Sequence, residues 1–200
     1  MLPHFNYTQI IVGCDEAGRG CLAGDVFAAA VILPKNFSSP LLNDSKKLSA
    51  KQRLKAREII ISHAIEYAID RCSPQEIDHL NILNASIFAM HKALKKLHTP
   101  FHKIIVDGNR FKSFMQIPHE CIIKGDGKYI EIAAASILAK TERDLYMQKI
   151  HLQYPQYGWD KNKGYPTAKH RLAIEKYGIT PFHRKSFTLC QKTVQMNLFQ

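Results

Sequence analysis

An α/β domain carrying a small helical segment is what this sequence predicts, on three observations. Short β-branched apolar runs alternate with stretches of helical periodicity, two of those stretches open on capping boxes, and the chain beyond about residue 155 turns polar and helical. Of 200 residues, 46% are hydrophobic and 22% charged, enough to fill one core and too apolar for a disordered chain. The expected division is an α/β unit over residues 1–154 and a helical segment over 155–200 packed on it.

Gln9-Ile10-Ile11-Val12, stopped by Gly13, reads as a first buried strand. Residues 26–33, apolar throughout and closed by Pro34, read as a second. Ser49 and Gln52 form a capping box that opens a helix carrying Leu54, Ile59, Ile61 and Ile65. Ser73-Pro74-Gln75-Glu76 is another, with Pro at the first helical position. From it Leu83, Ile87, Met90, Leu94 and Leu97 recur at three- and four-residue steps, laying one apolar stripe on a core before Pro100. Lys103-Ile104-Ile105-Val106 and Glu120-Cys121-Ile122-Ile123 read as third and fourth strands, ended by Asp107-Gly108 and Lys124-Gly125-Asp126. Residues 133–145, rich in alanine and without a breaker, predict a buried helix. A polar Gly/Tyr/Lys loop follows over 156–166, then a helix capped by Thr167 and stopped by Gly178.

Composition excludes several classes. The longest apolar run has eight residues, against the ~20 needed to span a bilayer, so no membrane helix is expected. The opening residues lack the basic, apolar, small-residue order of an export signal, and a cytoplasmic monomer is the expectation. Five cysteines without a C-x-x-C pair suggest reduced packing residues, neither a disulfide framework nor a zinc knuckle. Lys and Arg number 28 against 17 Asp and Glu, and the net charge of +11 points to a polyanionic partner, nucleic acid first. An ordinary solvated basic surface is the plainer alternative.

The acids are few, and their positions carry the chemistry. Asp15-Glu16, Asp107 and Asp126 each follow a strand expected to be buried, and sites in α/β sheets form where strand ends converge. Carboxylates at contact distance raise one another's pKa, so such a cluster needs cations. Hard oxygen donors suit Mg²⁺ or Mn²⁺, and two ions ~3.5–4 Å apart are usual for phosphodiester cleavage. Taken singly, Asp107-Gly108 reads as a turn and Asp126 as a helix cap, whereas Asp15-Glu16 has no evident structural task. Asp144, near Lys140 and Arg143, reads as a helix-face ion pair. Residues 13–20 have the glycine spacing of a phosphate loop, but Arg-Gly replaces Lys-Ser/Thr and two carboxylates would occupy the cradle. Gly18-Arg19-Gly20 instead permits close backbone approach to a sugar, where amides and carbonyls can read a 2′-hydroxyl.

In order along the chain stand Gly-Cys-Asp-Glu-Ala-Gly-Arg-Gly at 13–20, Leu-Ala-Gly at 22–24, Asn-Asp-Ser-Lys-Lys-Leu at 43–48, and Glu-Ile-Asp-His-Leu-Asn-Ile at 76–82. Val-Asp-Gly at 106–108, Lys-Gly-Asp at 124–126, Ile-Ala-Ala-Ala-Ser-Ile-Leu-Ala-Lys at 132–140, Gly-Tyr-Pro-Thr at 164–167 and His-Arg-Lys-Ser-Phe at 183–187 complete the series. This order resembles ribonuclease HII, the type 2 ribonuclease H family. The resemblance implies a ribonuclease H-like fold, a mixed five-stranded sheet flanked by helices, with a C-terminal helical extension that helps clamp the duplex. It implies metal-dependent hydrolysis of the RNA strand in RNA–DNA hybrids and incision 5′ of a ribonucleotide embedded in duplex DNA, leaving a 3′-hydroxyl and a 5′-phosphate. Asp15, Glu16, Asp107 and Asp126 match the family's four acidic positions and would hold two Mg²⁺ or Mn²⁺ ions. Gly18, Arg19 and Gly20 match the motif that recognises the 2′-hydroxyl, and Tyr165 the tyrosine that packs on the following deoxyribose. Lys46 takes a positioning role at the phosphate backbone, and Ser136 is a packing residue or a phosphate donor. Asp25 stands where the family usually has Pro, placing an extra acid near the site, and the order at 141–144 differs slightly. His183-Arg184 reads as a C-terminal cap or a substrate contact. Gln-Met-Asn-Leu-Phe at 195–199 weakly resembles a sliding-clamp-binding peptide. The rival readings are a non-catalytic RNA–DNA hybrid binder and a nucleotide-binding enzyme using the glycine loop.

Overall fold

The computed structural model describes residues 1–42 and 48–189, so Lys46 and the peptide at 195–199 lie outside the described residues. Strand β1 (Ile11–Ala17) runs through Gly13 instead of stopping at it. A Cβ on Gly13 would fall 2.2 Å from the Glu131 carbonyl carbon, so this glycine lets a helix cross close over the strand. Asp15 and Glu16 are therefore strand residues, and residues 13–17 form no phosphate-binding loop.

β2 (Val26–Ile32) pairs antiparallel with β1, and β3 (Glu66–Cys72) antiparallel with β2. On the other side β4 (Lys103–Asp107) lies parallel to β1, and β5 (His119–Ile122) parallel to β4. The order β3-β2-β1-β4-β5 is the mixed five-stranded sheet that the resemblance implied. Its edge strand β3 had no signal in the residues themselves. Glu66, Asp70 and Arg71 interrupt the apolar pattern, and only Ala68 and Cys72 are buried, as suits a strand with one free edge.

Helix α1 (Ala50–His63) has the expected Ser49–Gln52 box but ends before Ile65, whose N–H pairs with the Ile32 carbonyl and leads into β3. The stripe expected as one helix from Ser73 is two, α2 (Pro74–Leu80) and α3 (Ile82–Lys95). Asn81 separates them at φ 64°, and its side chain caps α3 by accepting from Asn84 N–H. Helix α4 (Ile130–His151) is longer than the alanine-rich run that predicted it. Ala89, Met90 and Leu94 of α3 pack with Val12, Cys14 and Val106 on one face of the sheet. Ala134, Leu138 of α4 and Ile60 of α1 pack with Ala29 and Val31 on the other.

Beyond Tyr154 come α5 (Trp159–Asn162) and α6 (Ala168–Tyr177), the latter capped by Thr167 and followed by Gly178 as expected. Trp159, Tyr157 and Ile174 form a further core with Met147 and Ile150 of α4 and with Leu22 and Ala23. This packing brings the C-terminal segment against the loop between β1 and β2. Cys14, Cys21, Cys72 and Cys121 are free, and among the described residues no helix is long and apolar enough to cross a membrane.

Candidate active site

Because β1, β4 and β5 are parallel, their carboxyl ends share one edge of the sheet, and the expected acids gather there. Asp107 ends β4 one step past the Cys14–Val106 pair, level with Asp15. Asp126 lies in the 3₁₀ turn Gly125–Gly127 between β5 and α4. Gly125 N–H donates to Asp107 Oδ1 at 2.7 Å and ties that turn to the end of β4.

Alternation along β1 turns Asp15 toward α4, where it is 4% exposed, and Glu16 to the opposite face. Glu16 N–H donates to Asp15 Oδ1 at 2.7 Å, and the Glu16 carboxylate accepts from Arg19 at 3.1 Å. From α4, Lys140 Nζ donates to Ser136 Oγ at 2.7 Å and stands 3.9 Å from Asp126 Oδ2. Ser136, fully buried, also hydrogen-bonds Asp15. The sequence carries one signal for this role of Lys140, its four-residue spacing from Ser136 on one helix face.

Burial pushes the Asp15 carboxyl up to about 8, with Glu16 and then Asp107 adding to the shift and the Ser136 bond and Lys140 opposing it. Burial also raises Glu16, against the pull of Arg19. Three carboxylates thus share one field. Among the described residues no three metal-binding side chains close on a single point: Glu16 is turned to Arg19, and Asp107 to the Gly125 amide. The donor set itself, all carboxylate oxygen at an open sheet edge, fits hard divalent cations.

The Gly18–Gly20 segment leaves β1 beside these acids. Gly18 sits at φ 97°, and a Cβ there would fall 2.0 Å from Arg143 Nε, so both backbone and packing demand glycine. Gly20 faces open space, and the Arg19 side chain is half exposed. Two buried arginines hold the loop from below. Arg143 donates to the carbonyls of Asp25 and Ala23, and Arg184 to those of Gly24 and Arg19. Neither expectation for His183-Arg184 holds, since both side chains are buried inside the protein, where Arg184 braces the loop and His183 meets Thr180. Contacts more than a hundred residues apart have no local signature, which is why the sequence hid them.

Leu22 N–H donates to the Gly164 carbonyl at 2.8 Å, an approach so close that a Cβ on Gly164 would lie 2.4 Å from Ala23 O. Tyr165 is thereby brought next to the loop, half exposed, in contact with Cys21. A cleft of about 470 Å³ runs from Lys140 to Tyr165, with Arg53, Lys161 and Lys163 on its walls. The buried Asp25 side chain is engaged by Tyr146, which donates to it at 2.8 Å, and by Arg71, which pairs with it at 3.2 Å. Asp144 forms an ion pair, but with Arg53 of α1 at 3.6 Å and not along its own helix.

The ribonuclease HII family model matches residues 12–190. A ribonuclease HII from Bacteroides fragilis is 59% identical over 189 residues, 94% of each chain. One from Christiangramia forsetii is 60% identical over 189 residues, 94% of this chain and 96% of the relative. Among solved structures, the ribonuclease H2 of Pyrococcus horikoshii OT3 superposes with a TM-score of 0.74 at 26% identity, covering 90% of this chain and 94% of that one. RNase HII in its complex with PCNA from Archaeoglobus fulgidus gives a TM-score of 0.74 at 24% identity over 92% of this chain and 98% of that one, a likeness of fold. The chain belongs to the ribonuclease HII family and is a metal-dependent endoribonuclease of the ribonuclease H class, acting on RNA–DNA hybrids.

Proposed function

We propose that this enzyme also incises duplex DNA on the 5′ side of an embedded ribonucleotide, leaving a 3′-hydroxyl and a 5′-phosphate. The observation that carries this reading is the adjacency of two things at one sheet edge: a strained carboxylate, Asp15 at about 8 beside Glu16 and Asp107, and the Gly18–Gly20 backbone with Tyr165. Asp15, Glu16, Asp107 and Asp126 would hold two divalent cations, Mg²⁺ or Mn²⁺. Bound there, such a pair supplies an activated water and stabilises the leaving 3′-oxygen.

The chain's own residues do the rest. Asp15 is kept in one orientation by the Glu16 amide and Ser136, and Ser136, which also accepts from Lys140, is assigned the phosphate contact. Lys140 draws the Asp126 turn toward the other acids. The backbone of Gly18, Arg19 and Gly20 reads the 2′-hydroxyl, and the exposed ring of Tyr165 packs on the next deoxyribose. Lys161 and Lys163, with Lys46 outside the described residues, track phosphates, and the segment after residue 154 clamps the duplex. Residues 195–199 are assigned a sliding-clamp contact. That assignment draws on their composition and on the PCNA complex of the Archaeoglobus fulgidus protein.

A gel assay on a labelled DNA duplex with one ribonucleotide tests the reading. One 3′-hydroxyl product is expected with Mg²⁺, none with EDTA, and none from Asp15→Asn, which still binds the duplex. Full turnover by Asp15→Asn refutes the carboxylate assignment. EDTA-indifferent binding with no product favours a non-catalytic hybrid binder, and thermal stabilisation by ATP or NAD a nucleotide-binding loop.

A further inference from the structure

Two histidines outside the chemistry above, His170 and His183, lie side by side beneath Tyr165, 0% and 1% exposed. Their neighbours dictate where their protons sit. The Trp159 indole N–H can only donate, and it points at His170 Nε2 at 3.0 Å. That nitrogen therefore carries a lone pair, and the ring proton is on Nδ1, donated to the Tyr165 carbonyl at 2.9 Å. Thr180 N–H points at His183 Nδ1 at 2.9 Å, which leaves the His183 proton on Nε2, 3.3 Å from the same His170 nitrogen. This arrangement gives every ring nitrogen a partner, with the one lone pair on His170 Nε2 shared between the Trp159 and His183 donors, and in it both rings are neutral. Burial lowers both below the ordinary histidine range, His183 to about 4 with His170 as the second cause.

The pair joins two elements of the site. His170 holds the carbonyl of Tyr165. His183 belongs to the turn whose Phe182 carbonyl accepts from Gly24 N–H at 2.8 Å and whose Arg184 holds the Gly24 and Arg19 carbonyls. We infer that His170 and His183 are positioning residues for the RNA–DNA junction. Fixed in tautomer, they set Tyr165 at a defined distance from the Gly18–Gly20 loop, and so set the preference for a ribonucleotide followed by DNA over one followed by RNA. This inference rests on the assignment of Tyr165 to the deoxyribose.

The test measures kcat and KM on a duplex with a single ribonucleotide and on a uniform RNA–DNA hybrid. His170→Asn keeps a donor under the Tyr165 carbonyl and loses the acceptor for Trp159; His170→Gln keeps the acceptor and loses the donor. Fluorescence of Trp159, the one tryptophan of the chain, reports that each variant is folded. His170→Gln is expected to lower kcat/KM roughly tenfold on the single-ribonucleotide duplex and less than about threefold on the hybrid. His170→Asn keeps the preference within about threefold, and Tyr165→Ala adds nothing in the His170→Gln background. If His170→Gln is unfolded, His183→Asn, which keeps the Thr180 contact and withdraws the donor to His170, carries the same expectation. Equal losses on both duplexes, or additive losses in the double variant, overturn the inference and leave the Tyr165 assignment standing. A Tyr165→Ala enzyme with unchanged preference overturns both.

Discussion

Replacing Asp15 by Asn should stabilise the metal-free protein at neutral and alkaline pH while abolishing turnover. Asn preserves the shape and the oxygen that accepts from Glu16 N–H at 2.7 Å, so the change removes charge and little else. In the folded chain the Asp15 carboxyl titrates at about 8 against 3.8 for a free aspartate, raised by burial and by Glu16. Below pH 4 both folded and unfolded states hold the proton, and Asp15 contributes no penalty. Between pH 4 and 8 the unfolded chain gives up its proton while the folded one retains it, so stability falls as pH rises through that window. The full difference corresponds to a ceiling of roughly 6 kcal/mol. Relaxation of the buried charge and water penetration reduce this to about 3 kcal/mol, or roughly 6–12 °C in Tm for a chain of this size. Thermal unfolding in EDTA from pH 4 to 9 measures it: wild type should lose Tm across the window and Asp15→Asn much less. Added Mg²⁺ should reverse the order, since only the wild type gains from binding. Parallel profiles for the two proteins in EDTA would refute the claim that Asp15 is held in an unfavourable field.

Gly18→Ala places a Cβ 2.0 Å from Arg143 Nε at φ 97°, and should lower kcat/KM on the single-ribonucleotide duplex at least tenfold, read by steady-state kinetics. Gly13→Ala drives a Cβ to 2.2 Å from the Glu131 backbone and should cost roughly 3 kcal/mol or more in a denaturant melt, through displacement of α4. Arg184→Met leaves the Gly24 and Arg19 carbonyls without their buried donor; a lower Tm, and a larger loss of kcat/KM on the single-ribonucleotide duplex than on the hybrid, are expected. Lys161→Glu with Lys163→Glu should raise KM and reduce the slope of log KM against log salt by about 2, with kcat little changed.

Asp15, Glu16 and Asp107 were legible because they close buried apolar strands, where placing a charge is costly without a reason. The strand before Asp126 is only partly buried, and Ile123 after it is 62% exposed, so its apolar run marked the position without the burial expected of it. The helix limits marked by Ser49, Ser73, Thr167 and Gly178 were legible because caps are local chemistry. What escaped is set by distance. β3 forms because Ile32 and its neighbours offer a pairing edge, which outweighs the charges at Glu66, Asp70 and Arg71. The break at Asn81 depends on one left-handed residue inside a continuous apolar stripe. Arg143 and Arg184 act on backbone groups far away along the chain, and nothing in their immediate neighbours announces it.

Helix α4 works as a ruler. Over 22 residues, about 33 Å, it meets the Asp126 turn, passes Ser136 and Lys140 under the carboxylates, sends Arg143 to the loop after β1, and ends in Met147 and Ile150 beneath the C-terminal helices. A single residue inserted near Leu138 would turn every later station by ~100° about the axis. Cutting and recognising are then expected to fail in one stroke, since both are spaced off this one rod.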